Sequence, residues 1–282
     1  MALFSDILLT VDFDRTLTAP DATVPARNVV AIRYFMENGG AFTVNTSRSV
    51  PMSMKNIMGV VPTNAPLLLY NGSAAYDDKT GELTRWTPIG FDPAEILPKL
   101  QEKFPYLNVE IQAVDAHYLM KKNPKWEAYC SNNGAPWKYA TPGEFPAPFL
   151  KFSVYSEFLD ANVSSLYTVI PEDHKLFEEA LCYIEETYGE YVDVYRSCPR
   201  LADIHAKGVS KLESARILQR ELGRKILVCV GDAENDLPMM EGADYAFCPS
   251  DGSVAHLFPN VCPCAEGSVA DVIYNELPKL VK

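Results

Sequence analysis

Two aspartates one residue apart, Asp12 and Asp14, close the apolar run Ile7-Leu8-Leu9-Thr10-Val11, and Thr16 follows two positions later. Carboxylates that close repel each other and lose hydration on burial, so a cation between them is a natural partner. A second apolar run, Ile226–Val230, leads through Gly231 into Asp232-Ala233-Glu234-Asn235-Asp236. Oxygen ligands from Asp12, Asp14 and Asp232 suit Mg²⁺, which takes few carboxylates, keeps several waters and accepts a phosphate oxygen. Each segment also has a plainer role. The acids could lie on a solvated turn, and Asn235 or Asp236 could cap the next helix. Taken singly, each segment leaves both readings open.

Hydroxyls and cations stand nearby in the same pattern. Ala41–Val44 ends in Asn45-Thr46-Ser47-Arg48, where a hydroxyl and helix-start N–H groups make a phosphate-oxygen site. Lys211 opens a helix within Lys207-Gly208-Val209-Ser210-Lys211. A cation there opposes the helix dipole, which a nearby anion would rationalise.

The elements that must position these residues alternate strand and helix. Ile7–Val11, Ala41–Val44 and Leu67–Tyr70 read as strands, the last closed by Asn71-Gly72. Helices are expected from about Pro25 to Gly39-Gly40 and from Val50 to Met58. A polar loop is expected from Asp12 to Asp21. Gly208–Leu222 reads as an amphipathic helix, Ile226–Val230 as a central strand, Tyr245–Phe247 as a short strand and Ser268–Leu277 as the last helix. That alternation predicts an α/β fold with a doubly wound, mostly parallel sheet.

The texture changes after Asp77. Residues 79–198 are richer in aromatics and prolines and hold Trp86, Trp126 and Trp137. Strands at Val109–Val114 and Phe149–Tyr155 and helices at Asp92–Phe104 and Glu172–Tyr188 predict an inserted α+β domain. Residues 1–78 and 199–282 then form the core domain. Trp126, Tyr129, Trp137 and Tyr139 could line a sugar-binding face or pack internally, and Lys121 and Lys122 could meet a second anion or be solvated.

Composition bounds the partners. The chain has 282 residues and a net charge of −12, which disfavours nucleic acid. No run reaches the roughly 18 apolar residues of a membrane span, and no basic segment precedes the first apolar run, so neither a membrane anchor nor a signal peptide is expected. Seven scattered cysteines suggest free thiols in a reducing compartment, the cytoplasm. Cys262-Pro263-Cys264 lacks the spacing of a zinc or redox pair.

The ordered set Asp12-Phe13-Asp14-Arg15-Thr16, Thr46-Ser47-Arg48, Gly208-Val209-Ser210-Lys211 and Gly231-Asp232-Ala233-Glu234-Asn235-Asp236 resembles the haloacid dehalogenase-like superfamily. Within it the chain is similar to the Cof-type phosphatases, whose large cap is inserted between the second and third motifs, and Asn71-Gly72-Ser73 resembles their Asn-Gly-Ala. The resemblance implies a Rossmann-like core and a Mg²⁺-dependent phosphatase of a small phosphorylated metabolite, such as a sugar phosphate. It implies Asp12 as nucleophile, forming an aspartyl-phosphate, and Asp14 as the acid and base. It also implies Mg²⁺ on Asp12, the Asp14 carbonyl and Asp232. Thr46, Ser47 and Lys211 would bind phosphoryl oxygens, with Asn235 and Asp236 in support and Arg48 and Asn71 facing substrate. Arg15 stands where many relatives carry Gly. A phosphotransferase or mutase on the same scaffold, and a binding protein without catalysis, are the alternative readings.

Overall fold

A computed structural model describes residues 2–140, 143–156, 169 and 171–281. They divide into two units. One comprises residues 1–48, 56–85 and 210–282, the other residues 49–55 and 86–209.

The first unit is built on a five-stranded sheet in the order Asn260–Val261, Tyr245–Pro249, Ile226–Val230, Ile7–Val11, Ala41–Val44. Every pairing in it is parallel. From Ile7–Val11 the chain steps outward to Ala41–Val44 on one side. It later returns to Ile226–Val230 on the other. The reversal of strand order makes Ile7–Val11 a topological switch point, where such sheets place ligands beyond the strand ends. Register decides what arrives there. Val11 pairs with both Val230 and Val44, so Asp12, Gly231 and Asn45 leave the sheet side by side.

Burial explains the composition of these strands. Ile7–Val11 is buried at every position and Ile226–Val230 at all but the first, as continuous apolar runs require when helices cover both faces. On one face Leu8, Leu227 and Cys229 pack against Ala215 and Leu218 of helix Lys211–Glu221 and against Met239 and Met240. That helix starts at Lys211 rather than Gly208, because Gly208 takes a left-handed conformation and Ser210 caps it by accepting the Glu213 N–H. The final helix runs beyond Leu277 to Leu280 through one widened turn. Leu67–Leu69, Ala74–Asp77 and Glu82–Trp86 form a separate three-stranded sheet, which carries the unit to Arg85, past the expected boundary at 78.

The second unit has a six-stranded sheet in the order Val192–Cys198, Leu201–Ala206, Lys151–Ser156, Leu107–Gln112, His117–Leu119, Trp137–Tyr139. All pairings are antiparallel except the last. Alternation sorts its two faces. Val109, Ile111, Phe152, Val154, Ala202 and Ile204 point to the helices Pro93–Lys103 and Pro171–Tyr188, meeting Leu97, Leu100, Phe177 and Leu181. Glu110, Ser153 and Asp203 align across three strands on the opposite face. Because Leu201–Ala206 pairs inside this sheet, the unit runs to Val209, beyond the expected boundary at 198. Trp126 stacks between Tyr129 and Tyr155, with centroids 4.6 and 4.0 Å away, which makes it a packing residue. Trp137 donates its indole N–H to Ser131 at 2.9 Å, and Tyr139 is exposed.

All seven cysteines are free thiols. No helix among the described residues is long and apolar enough to cross a membrane.

Candidate active site

Asp12 is the first residue past its strand, buried, with its N–H bonded to the Val230 carbonyl at 2.9 Å. The expected polar loop after it is one wide turn, Phe13–Leu17, closed by the Thr18 N–H on the Phe13 carbonyl. Phe13 and Leu17 anchor the turn in the core. Inside it Arg15 holds φ +60°. Glycine reaches that conformation freely and other L-residues at a cost of about 1 kcal/mol.

Lys211 is the centre of the cluster. Its buried ammonium donates to Asp12 Oδ1 at 2.5 Å and to Asp236 Oδ1 at 2.7 Å. Asp236 Oδ2 accepts the backbone N–H groups of Asp232 and Ala233 at 3.2 and 3.3 Å, so this acid braces the turn that carries Asp232. Gly231 permits that approach: a Cβ there would lie 2.5 Å from Asp236 Cβ. Asp232 accepts a hydrogen bond from Thr16 at 3.0 Å, linking the two acid-bearing segments.

Thr46 is buried at the end of Ala41–Val44. Its N–H reaches the Leu68 carbonyl at 2.9 Å and its carbonyl accepts the Asn71 N–H at 3.0 Å. Its hydroxyl accepts the Arg48 N–H at 3.3 Å. Ser47 is half-buried beside it. Asn71 is buried in a left-handed turn whose next residue must be glycine, since a Cβ on Gly72 would lie 2.4 Å from the Ser210 carbonyl. Arg48 grips both oxygens of Asp14, at 2.9 and 2.7 Å, and lies over the Phe13 ring at 5.1 Å.

The structure therefore gathers Asp12, Asp232, Asp236 and Lys211 into one buried cluster, and the Asp14 carboxylate turns to Arg48 instead. Asn235 is exposed, and no hydrogen bond joins it to the cluster among the described residues. Two supporting residues escaped sequence reasoning. Thr16 carried a signal in its spacing from Asp14. Asn45, which donates to the Lys211 carbonyl at 2.8 Å and so fixes the helix start, carried none until the strand register was known.

Ligand oxygens of three carboxylates, those of Asp12, Asp232 and Asp236, lie within 4.8 Å of one another, and the Lys211 ammonium pairs with two of them, Asp12 and Asp236. Burial and the charges of Asp236 and Asp232 hold the Asp12 carboxyl well above its ordinary range despite Lys211. Burial and the Asp236 charge push Asp232 up to about 6. Asp236 spends both oxygens inside the protein, whereas Asp12 and Asp232 each keep an oxygen outside the hydrogen bonds described. Hard oxygen donors carrying surplus negative charge fit a small divalent cation.

The fold is thus an α/β class with a parallel sheet, with buried acids at the ends of two adjacent strands and a lysine between them. The chain belongs to the haloacid dehalogenase-like hydrolases, whose family model matches residues 9–256. Solved structures share the fold across nearly the whole chain. A haloacid dehalogenase-like hydrolase from B. subtilis is 18% identical, covering 95% of this chain and 99% of its own, with a TM-score of 0.76. A phosphatase of the same superfamily from Bacteroides thetaiotaomicron is 18% identical at a TM-score of 0.73, covering 94% and 93%. A subclass IIB sugar phosphatase is 16% identical at 0.71, covering 94% and 97%.

Proposed function

We propose that the protein is a Mg²⁺-dependent phosphomonoesterase acting on a small phosphorylated metabolite. The observation that carries this reading is the buried Lys211 ammonium bridging Asp12 and Asp236 beside Asp232. Asp12 attacks phosphorus and forms an aspartyl-phosphate as the leaving oxygen departs. Asp14 gives that oxygen a proton, then takes one from the water that hydrolyses the intermediate. Lys211, Thr46 and Ser47 hold the phosphoryl oxygens, and the lysine offsets the repulsion between an anionic nucleophile and an anionic substrate. Asp236 fixes Lys211, Arg48 orients Asp14, and Asn71 and Arg48 face the rest of the substrate. Asp12, the Asp14 carbonyl and Asp232 would hold Mg²⁺, which supplies further charge neutralisation when bound.

The fold likeness to a sugar phosphatase makes phosphorylated sugars the first substrates to assay. A panel of them, with p-nitrophenyl phosphate alongside, should release phosphate only with Mg²⁺. Asp12→Asn should lower kcat/KM by at least about 10³-fold, the scale of losing a nucleophile. Release that survives Asp12→Asn or excess chelator refutes the mechanism, and phosphate passing to a second sugar faster than to water makes the protein a phosphotransferase.

A further inference from the structure

The second unit buries a set of chemistry-bearing side chains that the mechanism does not use. His117, on strand His117–Leu119, places Nδ1 2.6 Å from Glu110 Oε1 and Nε2 2.7 Å from Ser49 Oγ. The Cys130 thiol donates to Glu110 Oε1 at 3.3 Å. All four residues are at most 1% exposed. Order and spacing resemble a serine–histidine–acid triad, but burial denies it a substrate. Glu110, His117 and Cys130 also lie close enough together to ligate a metal. Yet Nδ1 and Oε1 sit at hydrogen-bond distance, and the Cys130 thiol, raised in pKa by burial, spends its proton on the same Oε1. The set is complete as a hydrogen-bonded network.

The network continues. Gln112 donates to Glu110 Oε2 at 3.3 Å and to Ser153 at 3.2 Å, and Ser153 donates to Asp203 at 2.7 Å. Asp203 is paired with Lys151 at 2.8 Å. A chain of polar contacts thus crosses four strands of the sheet and ends at Ser49. Glu110, His117 and Ser49 are each hydrogen-bonded in it, whereas Gln112 Oε1 is buried without a partner among the described residues, and satisfied buried polar groups rigidify the arrangement they share.

Ser49 is where the chain crosses from the first unit to the second. It follows directly on Thr46-Ser47-Arg48. That segment is held from one side by the Asn71 N–H on Thr46 and the Tyr70 N–H on Arg48, both at 3.0 Å. On the other side its next residue is held by His117. Ser49 also receives the Met52 N–H at 3.3 Å and the Ser53 N–H and hydroxyl on its carbonyl, so it starts helix Val50–Asn56. We infer that Glu110, His117 and Ser49 are positioning residues that set the phosphate-binding segment Thr46–Arg48 by fixing the residue after it. The inference rests on the phosphatase reading, which gives Thr46 and Arg48 their tasks.

The test uses the whole protein, with Mg²⁺ and inorganic phosphate as the calorimetric ligand and p-nitrophenyl phosphate as the substrate. Ser49→Ala should weaken phosphate binding and raise KM about five-fold, with kcat changing less. Ser49→Thr, which keeps the hydroxyl, should return both to within about two-fold of the parent. His117→Gln should match Ser49→Ala. Parent-like Kd and KM in Ser49→Ala overturn the relay, as does a loss confined to Tm or to the active fraction at unchanged KM. A parent protein that binds no phosphate refutes the phosphatase reading instead, before any variant is made. If His117→Gln does not fold, the Ser49→Ala and Ser49→Thr pair decides alone.

Discussion

In the first unit three buried carboxylates, those of Asp12, Asp232 and Asp236, cluster around one buried ammonium, that of Lys211, which pairs with Asp12 and Asp236 only. In the second, each buried acid among the described residues has a partner of its own: Glu110 meets His117 and Asp203 meets Lys151. Burial drives Asp12, Asp232, Glu110 and Asp203 toward the neutral form. In the first unit it prevails, and Asp12 and Asp232 titrate above their ordinary range. In the second unit the outcome reverses. His117 and the hydrogen bonds to Glu110, and Lys151 and the groups around Asp203, hold both acids below it. Both regions look alike in composition, and the balance of charge separates them. A matched buried pair is a structural device. An unmatched cluster at the ends of parallel strands is a place where charge from outside belongs.

Removing the cations tests that contrast hardest. Lys211→Met and Lys151→Met should each cost about 3–5 kcal/mol, the usual penalty for leaving a buried carboxylate unpaired. Millimolar Mg²⁺ should recover part of the loss in Lys211→Met and none in Lys151→Met. Tryptophan fluorescence follows the second unit, which holds Trp86, Trp126 and Trp137, and far-UV circular dichroism follows both, so the two signals together separate the units in urea unfolding. Equal recovery in both variants would erase the distinction.

A smaller effect comes from the metal itself. Mg²⁺ at about 100 times its Kd should stabilise the parent by about 2.7 kcal/mol through binding alone. Asp232→Asn should abolish that gain, read as a Tm shift by calorimetry, and Glu110→Gln should leave it intact.

The smallest effect sharpens the second unit's side. His205 is buried, and burial together with the Lys151 charge pushes its pKa down to about 3. The folded protein therefore keeps this imidazole neutral where the unfolded chain, with an ordinary value near 6.5, has protonated it. The unfolded state then binds more protons, so stability falls as pH drops from about 6.5 toward 3. Between pH 7 and 5 this should amount to about 2 kcal/mol. His205→Gln should flatten that slope in tryptophan-monitored urea unfolding; an unchanged slope would show that His205 is protonated in the fold.

Much of the first unit was legible because its chemistry sits next to its strands. An apolar run followed by an acid says both "buried strand" and "strand end", and the parallel register then places Asp12, Asp232 and Thr46 at one edge. Lys211 was legible from its helix start, and the Ser210–Glu213 cap sharpened the boundary that a pattern of apolar positions had set three residues early. Pairings between distant side chains were not legible. Arg48 and Asp14 are 34 residues apart, and Ser49 and His117 are 68 apart. Neither separation follows from periodicity, and a lone histidine in an apolar strand has no sequence mark that distinguishes it from core. The aromatic residues of the second unit suggested a sugar face equally with a packed interior. Trp126, stacked on two tyrosines, belongs to the interior.

Helix Val50–Asn56 has one further consequence. Residues 49–55 are counted with the second unit although they lie far from it in sequence, and Met52 packs with Leu119, Trp126, Cys130 and Tyr155. The insert is therefore not a cassette. Residues 86–209 lifted out as one piece, or exchanged with the matching piece of a relative, would leave behind a wall of their own small core and the hydroxyl that His117 expects. Moving the second unit between such proteins requires moving two segments together, and the shorter one begins directly after Arg48.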